Sequence, residues 1–554
     1  NKILILIDGV QINELNSGGF YGGGQYNLAN VERIEVVYGP ASVIYGTNAV
    51  SGIINIITKS TKREPVFFAN ALFGNFNTYY TDVNFNYYND EKDMGFLMSG
   101  MYKTTEKVDL TGSAGDYNWT DEMENFENDY SFDTKFHYKT FSAGINYQNR
   151  QSSTATHYPS VGTIYRDYGT LWNMQFINAY IKHKYKINEK LSIKTTLYNR
   201  NATVLANSVK IVTDTAQKAY FRPNYLLGAE SIINYRYKEK LYATGGLIYE
   251  YEKLANGYSN TYSNSPDIKP PKPVMPEMQG NTLFSTFAQM QYKLPFNFQI
   301  VAGLRFDNSS FYKQVLTPRV GIIFNAKNTT LRVLYSEAFR APKPWDYTDG
   351  LGNIDLKPEK METYEFSGMY SFGKYIRAEI SVYKNYLYNA LTKKFINANY
   401  FWDNQGNINT DGVEFAFNYG KRNLKFYGNY TYNYSSDENG LLIPEIAIHM
   451  ANLGTTYSFF KYISINLRAN YIGRRKNTKT ITQTGTNFIE PAVIFHSTLS
   501  VLKYKNADIQ LIVKNLLDTK YYHTSNLEPE RYRQPQRTIM FKLGYRVNNF
   551  KPKK

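Results

Sequence analysis

The chain contains no cysteine, which excludes a disulfide framework, a thiolate metal site and a thiol nucleophile. It also lacks any run of about 20 apolar residues able to cross a bilayer as a helix, and its mean hydropathy is −0.48. The uncharged stretch from Val36 to Thr58 is cut into short pieces by Gly39, Pro40, Gly46, Asn48, Gly52 and Asn55. Charge is sparse: 63 basic and 47 acidic residues leave +16 on 554 residues, only 20% of which are charged. That excess is scattered among turns and strands, so it does not form the stripe a nucleic acid would need. Residues Asn1 to Val10 show neither a basic region nor a small-residue cleavage site, so no signal peptide is expected there. What the chain has in abundance is aromatic: 52 Tyr, 34 Phe and 4 Trp make up 16% of it, which excludes a disordered polymer.

Two textures divide the chain near residue 60. Before it, three apolar pieces (Ile3 to Ile7, Ile34 to Val37, Ile53 to Ile57) are separated by Gly-rich turns, as in a small mixed domain of short buried strands. Beyond it, segments of about ten residues alternate apolar and polar side chains. Ile463, Ile465, Leu467, Ala469 and Tyr471 fall on one strand face, with Ser464, Asn466, Arg468 and Asn470 on the other. Leu424, Phe426, Tyr430 and Tyr432 oppose Lys425, Tyr427, Asn429 and Thr431, and Ile376, Ala378, Ile380 and Val382 oppose Arg377, Glu379 and Ser381. Connections alternate as well. Short turns such as Asp90 to Asp93, Lys238 to Lys240 and Lys421 to Asn423 are interleaved with long polar segments such as Thr105 to Glu127, Val204 to Ala219, Leu254 to Asn281 and Phe339 to Lys357. Short turns on one side and long loops on the other predict an all-β, outer-membrane barrel of about 22 antiparallel transmembrane strands spanning residues 65–547. A β-propeller or solenoid is the rival, but no internal repeat is visible. Residues 548–554 form a basic tail.

"LILIDGV" (Leu4 to Val10) and "NVERIEVVYGPASVIYGTNAVSGIINIITKS" (Asn30 to Ser60) resemble the second half of the plug domain of TonB-dependent outer-membrane receptors. "EAFRAPKPWDY" (Glu337 to Tyr347), "LGNIDLKPEKMETYEFSG" (Leu351 to Gly368), "VKNLLDTKYY" (Val513 to Tyr522) and "QRTIMFKLGYRV" (Gln536 to Val547) extend the resemblance over nearly the whole chain. Plugs of this family usually read Arg-Gly-Pro where this chain has Tyr38-Gly39-Pro40. The resemblance implies a partial plug, residues 1–60, inside the barrel lumen. It further implies that a TonB box and the first half of the plug precede residue 1, so the coupling segment is not located on this sequence. Implied partners are the TonB-ExbB-ExbD type energy-coupling complex, the lipid bilayer with its lipopolysaccharide, and a small-molecule ligand.

Glu32, Arg33 and Glu35 alternate with Ile34 and Val36, and are expected to meet the polar lumen wall as ion pairs. "GGFYGGG" (Gly18 to Gly24) is not followed by Lys-Ser/Thr, so it is no phosphate loop. It resembles the plug's apical loops instead, which makes Phe20 and Tyr21 ligand candidates. Phe339 to Pro342 and Asn353 to Leu356 resemble paired boxes of haem receptors, yet no histidine lies between Pro342 and Asn353 to ligate an iron. Arg340, Trp345, Tyr347 and Trp402 are the further ligand candidates. Of the 6 histidines (His137, His157, His183, His449, His496, His523), His157 in a long loop is the best placed to touch a ligand, while His137 and His449 read as lumen or interface residues. Asp121, Glu122, Glu124, Glu127 and Asp129 read as a solvated loop, with calcium as the alternative.

No catalytic residues, metal site or cofactor are expected, since no GxSxG-type turn or HExxH occurs. The function expected is energy-coupled uptake of a scarce ligand. An anionic, aromatic ferric siderophore fits the Tyr-rich, net-basic chain best, because Arg and Lys neutralise its charge and Tyr and Trp stack on it. Haem and cobalamin are the alternatives within the family; a passive porin or an adhesin leaves the plug unexplained.

Overall fold

The computed structural model describes residues 2–63, 66–107, 124–154, 170–213, 215–265, 268–397, 399–525 and 530–548. Asp121, Glu122, His157 and the tail from residue 549 lie outside the described residues.

The first 63 residues form a four-stranded sheet from β1 (Ile3–Ile7), β2 (Val10–Gln11), β3 (Val31–Tyr38) and β4 (Gly52–Thr58), in the order β2-β1-β4-β3. Asp8 and Gly9 both have positive φ, 51° and 81°, the geometry a two-residue hairpin between β1 and β2 requires. Alternation along β1 sends Leu4 and Leu6 into one cluster with Ala41, Ala49 and Ile53, and Ile5 and Ile7 into another with Ile12. Burial on both faces explains why β1 reads as an unbroken apolar run. A single helical turn, α1 (Ser42–Tyr45), carries the chain from β3 towards β4, which lies parallel to β1. β3 is the edge strand, and its Ile34, Val36 and Tyr38 are exposed, Tyr38 to 70%. Beside it a cavity of about 920 Å³ opens against the barrel wall at Arg319, Arg332, Glu365 and Glu414.

Residues 66–548 form a closed antiparallel barrel of 22 strands. It closes where Thr538–Asn548 pairs with Val66–Gly74, from Asn548 opposite Val66 to Met540 opposite Gly74. Facing residues across the ladders share one surface. One such outward row runs Leu424, Tyr457, Ile465, Leu499, Leu511, Phe541, Phe73 and Tyr79 through consecutive registers. Leu424, Phe426, Tyr430, Ile463 and Ile465 therefore face outward, while Asn433 and Ser435 line the lumenal cavity. Among the described residues no helix is long and apolar enough to cross a membrane.

The alternation of connections is visible, with two differences. Residues 75–77 and 310–312 are short links on the long-loop side. The segment Val204 to Ala219, expected as a loop, is instead strand: Leu191–Val212 runs for 22 residues and pairs above the barrel with Gln217–Arg222. A register shift between Val204 and Ser208 marks a bulge there. Lys218, Tyr220 and Arg222 lie on one face of that hairpin, the alternation a strand requires.

At the short-turn end, Asp93 fastens the plug's exit segment. Its Oδ1 accepts from the Tyr88 hydroxyl at 2.7 Å and meets Lys62 Nζ at 2.8 Å and His137 Nε2 at 3.1 Å. The hydrogen bond from Lys62, followed by that from Tyr88, lowers the Asp93 pKa to about 2.

Two measurements check this arrangement. Leu453→Arg, on the outward face in mid-strand, should destabilise the barrel in lipid by about 2–4 kcal/mol, whereas Asn452→Arg on the lumenal face should be nearly neutral in refolding titrations. Asp93 favours its ionised form in the folded state, so its contribution is complete above the unfolded carboxylate pKa near ~4 and is lost as pH falls through about 2. The hydrogen-exchange protection factors of residues 59–63, taken relative to the intrinsic rate at each pH, should fall in that window, and in Asp93→Asn they should already be low at pH ~6 with no further step.

Candidate functional site

The plug is held in the lumen by buried polar contacts whose two halves come from distant parts of the chain. Glu14 is wholly buried and accepts six hydrogen bonds. Four come from its own loop: Asn16 N (3.0 Å), Asn16 Nδ2 (2.7 Å), Ser17 N (2.8 Å) and Ser17 Oγ (2.6 Å). Two come from the barrel, Arg222 Nη2 and Asn224 Nδ2, each at 3.1 Å. The Arg222 and Glu14 side chains are 3% and 0% exposed, so removing either leaves a desolvated charge. Asp8 meets Lys135 Nζ at 2.7 Å, and Lys2 meets Glu359 at 3.3 Å. The Asn27 amide donates to Ser99 at 2.6 Å, and Asn48 N donates to the Phe339 carbonyl at 3.1 Å.

The Gly-rich plug loop reaches the long-loop end of the barrel. Gly24 N donates to Glu127 Oε1 at 3.0 Å, and the same oxygen takes Lys103 Nζ at 2.6 Å. A side chain here has no room: a Cβ on Gly23 would lie 2.5 Å from Arg150 Nε, and one on Gly24 would collide with Asp129 and Lys103. Glycine at these positions is a close-approach requirement. Phe20 stands 41% exposed beside Tyr26, with ring centres 6.1 Å apart. Tyr21 is half-buried, 6.4 Å from the Phe176 ring, in a cluster with Trp172 and Met174.

Around this loop the barrel builds an aromatic floor interleaved with cations. Trp172, Tyr220 and Tyr258 meet edge-on with ring centres 5.6–6.2 Å apart, and Trp345 joins at 5.7 Å from Tyr258. Arg222 lies 4.3 Å from the Tyr258 ring centre, Lys218 5.2 Å from Tyr220 and 4.8 Å from Tyr262, and Lys210 5.8 Å from Trp172. Such rings offer flat apolar surface, and Lys210 and Lys218 add positive charge beside them, while the Arg222 charge is committed to Glu14.

Trp345 and Tyr347 sit on α2 (Pro344–Thr348), whose first turn is closed by Asp346 Oδ2 accepting from Lys343 N at 2.9 Å. Burial raises the Asp346 pKa although Arg340 opposes the shift, and burial followed by the Asp346 charge pushes the Tyr347 phenol up to about 12. Arg340 is almost enclosed: its Nε donates to Glu359, and Nη1 lies 3.8 Å from Asp346. Trp402 belongs to an added hairpin, Leu391–Ile396 with Asn399–Asn404. Its indole donates to Asp349 Oδ2 at 3.0 Å while Tyr400 donates to Oδ1 at 2.9 Å, and Lys393 covers both rings at 5.3 and 3.9 Å. Asp349 thereby ties the hairpin to the end of α2.

The structure brings Trp345 to the aromatic floor and Tyr21 to its edge; Phe20 packs beside Tyr26, Tyr347 beside Phe311, and Trp402 is held at Asp349. Glu32, Arg33 and Glu35 have ion-pair partners within the plug. Arg33 pairs with Glu35 at 2.7 Å and Glu32 pairs with Arg63, because β3 is an exposed edge whose charges find partners within the same 63 residues. The contacts that do hold the plug involve Glu14, Asp8, Lys2, Asn27 and Gly24. His137 binds the periplasmic turn at Asp93, His449 accepts from or donates to Tyr430 at 2.8 Å, and His183 stacks on Phe141 at 4.3 Å. Among the described residues no group of three or more His, Asp or Glu is close enough to hold a metal ion. Arg222, Tyr220, Tyr258, Trp172 and Glu14 went unread in the sequence, although the spacing of Lys218, Tyr220 and Arg222 is a strand signal.

Residues 67–516 match the TonB dependent receptor-like β-barrel family, and residues 1–53 match the TonB-dependent receptor plug domain. The chain is a TonB-dependent receptor. This places the receptor in the outer membrane, as a ligand-binding protein that draws on TonB for energy and not as an enzyme. It is 24% identical to the iron-regulated outer membrane virulence protein of Vibrio cholerae serotype O1, covering 94% of this chain and 81% of that protein. It is 22% identical to the vitamin B12 transporter BtuB of the same serotype, over 98% and 84% of the two chains. In three dimensions the receptor superposes on the ferric enterobactin receptor PfeA of Pseudomonas aeruginosa with a TM-score of 0.80 at 16% identity, covering 99% of this chain and 92% of that one.

Gly24→Ala should displace the apical loop and destabilise the plug by about 1–3 kcal/mol, as overpacking does. The check is hydrogen exchange of residues 18–26, which should rise while the barrel strands stay protected.

Proposed function

We propose that this TonB-dependent receptor takes up an anionic, aromatic-bearing iron chelate, a ferric siderophore, with energy relayed through a TonB-ExbB-ExbD complex. The observation that carries the reading is the aromatic floor, in which Lys210 and Lys218 stand beside Trp172 and Tyr220 at the outward end of the lumen. Flat rings and fixed cations together complement a catecholate-type complex better than a neutral solute. Relatives named for iron regulation and for ferric enterobactin are in keeping with it. Cobalamin is the second reading, favoured by the similarity to BtuB.

Phe20, Tyr21, Trp345, Tyr347 and Trp402 are assigned as the ligand-facing aromatics. Arg340 joins them from beneath: its guanidinium is committed to Glu359 and Asp346, and so holds α2 in place for Trp345 and Tyr347. The outward rows of Tyr and Leu are assigned to lipid and lipopolysaccharide.

A binding screen of the receptor against ferric siderophores, haem and cobalamin tests the assignment. A ferric siderophore should bind most tightly, Trp345→Ala should weaken it by about tenfold or more, and uptake should stop when the proton-motive force is dissipated. Tight binding of cobalamin or haem without any ferric chelate would overturn the ligand, and unchanged uptake without the proton-motive force would overturn the mechanism.

A further inference from the structure

The Arg222–Glu14 pair lies where the aromatic floor meets the plug, and its two sides are built differently. On the plug side Glu14 is the hub of its loop, since the four donors from Asn16 and Ser17 fold residues 14–17 around the carboxylate. That loop is tied to the plug sheet: Asn13 Oδ1 accepts from Ile5 N at 2.9 Å in β1, and its amide donates to the Gly18 carbonyl at 3.0 Å. On the barrel side Arg222 stands at the end of the hairpin strand Gln217–Arg222. Its Nε has no acceptor, and Glu14 is the ion-pair partner found among the described residues. The remaining surface of the guanidinium is covered by rings, Tyr258 at 4.3 Å and Trp345 at 6.0 Å.

Two charges attract according to the medium between and around them. Passing from a partly buried setting to bulk water weakens the attraction roughly fourfold. The strength of this pair therefore depends on Tyr258 and Trp345 staying in place as a lid against water. Those rings belong to extracellular loops and to α2, the elements a ligand would touch.

We propose that Arg222 is a positioning residue for transport: a ligand that draws Tyr258 and Trp345 off the guanidinium admits water to the Arg222–Glu14 pair, which loosens the plug loop 14–19 and, through Asn13, β1. The proposal rests on reading the aromatic floor as the ligand chamber. It gives an energetic route from an occupied chamber to the plug that needs no large movement of the barrel. The two-state element is the pair itself, either dry and closed or hydrated and open.

The test needs no ligand, so it is separable from the identity of the chelate. Backbone hydrogen exchange of residues 14–19 is measured in the full-length receptor in bilayers. Tyr258→Ala and Trp345→Ala remove the lid and should each speed exchange there by roughly tenfold. Tyr258→Phe keeps the ring and should restore the slow rate, and Tyr262→Ala, whose ring covers Lys218 instead, should leave it unchanged. In an R222M background Tyr258→Ala should add nothing. Exchange of the wall strand Asn224–Tyr237 reports whether each variant is folded, and Trp345→Ala, on α2 outside the wall, serves if Tyr258→Ala does not assemble. Unchanged exchange in Trp345→Ala, or the same acceleration by Tyr258→Ala with Arg222 absent, would overturn the relay whatever the binding screen returns. A receptor that bound cobalamin and still showed the acceleration would keep the relay and lose only the chelate.

Discussion

Closure of the sheet is the constraint from which the rest of this receptor follows. In hydrocarbon every backbone N–H and C=O needs a partner inside the protein, so the last strand must find the first, and Thr538–Asn548 finds Val66–Gly74 across more than 460 residues of sequence. Once 22 strands are closed, the lumen is too wide for side chains alone to fill it. A second body must sit there, and it meets the wall in two ways. Apolar patches join Val50 to Ala338, Met361, Leu387 and Ala390, and Leu15 to Leu226 and Leu254. Buried ion pairs and hydrogen bonds gather around Glu14, Asp8, Lys2 and Asn27.

Polar contacts of this kind suit a plug that has to hold and also let go. A dry ion pair is weak evidence for stability, since desolvation offsets much of the attraction. It is, however, sensitive to water in a way that an apolar contact is not. The plug's own strands are stapled by apolar clusters on both faces of β1, while its grip on the barrel combines buried ion pairs with the apolar contacts of Val50 and Leu15. The glycines at 23 and 24 let the backbone come close to Arg150 and to Asp129 and Lys103, whose side chains would have to shift to admit a Cβ.

The extracellular loops are structured by small polar hubs, each replacing a core. Asp349 holds Tyr400, Trp402 and Lys393, and Glu359 holds Arg340, Lys2 and the backbone N–H of Leu391 at 2.9 Å. The second of these touches the plug as well as α2, so chamber and plug share a partner there too. Residues picked for their chemistry in the sequence, Arg340 and Trp402, turn out to be members of these hubs. Their side chains position the loops that carry Trp345 and Tyr347.

The sequence by itself determined the barrel, its strand faces and the presence of a plug. Period-two alternation is local, and a strand's outward set is decided by its own residues, as Ile463 to Tyr471 illustrate. The Asp8-Gly9 turn and the apolar run of β1 are local for the same reason. Where the plug touches the wall was not legible, because Glu14 and Arg222 lie more than 200 positions apart and neither stands out among its neighbours. Charges on β3 looked like interface residues and pair within the plug, since alternation shows that two faces differ and is silent on which strand ends at an edge. The aromatic floor was half legible: Lys218, Tyr220 and Arg222 alternate, but the bulge at Val204 to Ser208 and the packing of their hairpin follow from pairing across three strands. Burial, and with it the strength of every charge pair, belongs to the folded molecule alone, because only packing decides how much water each pair retains.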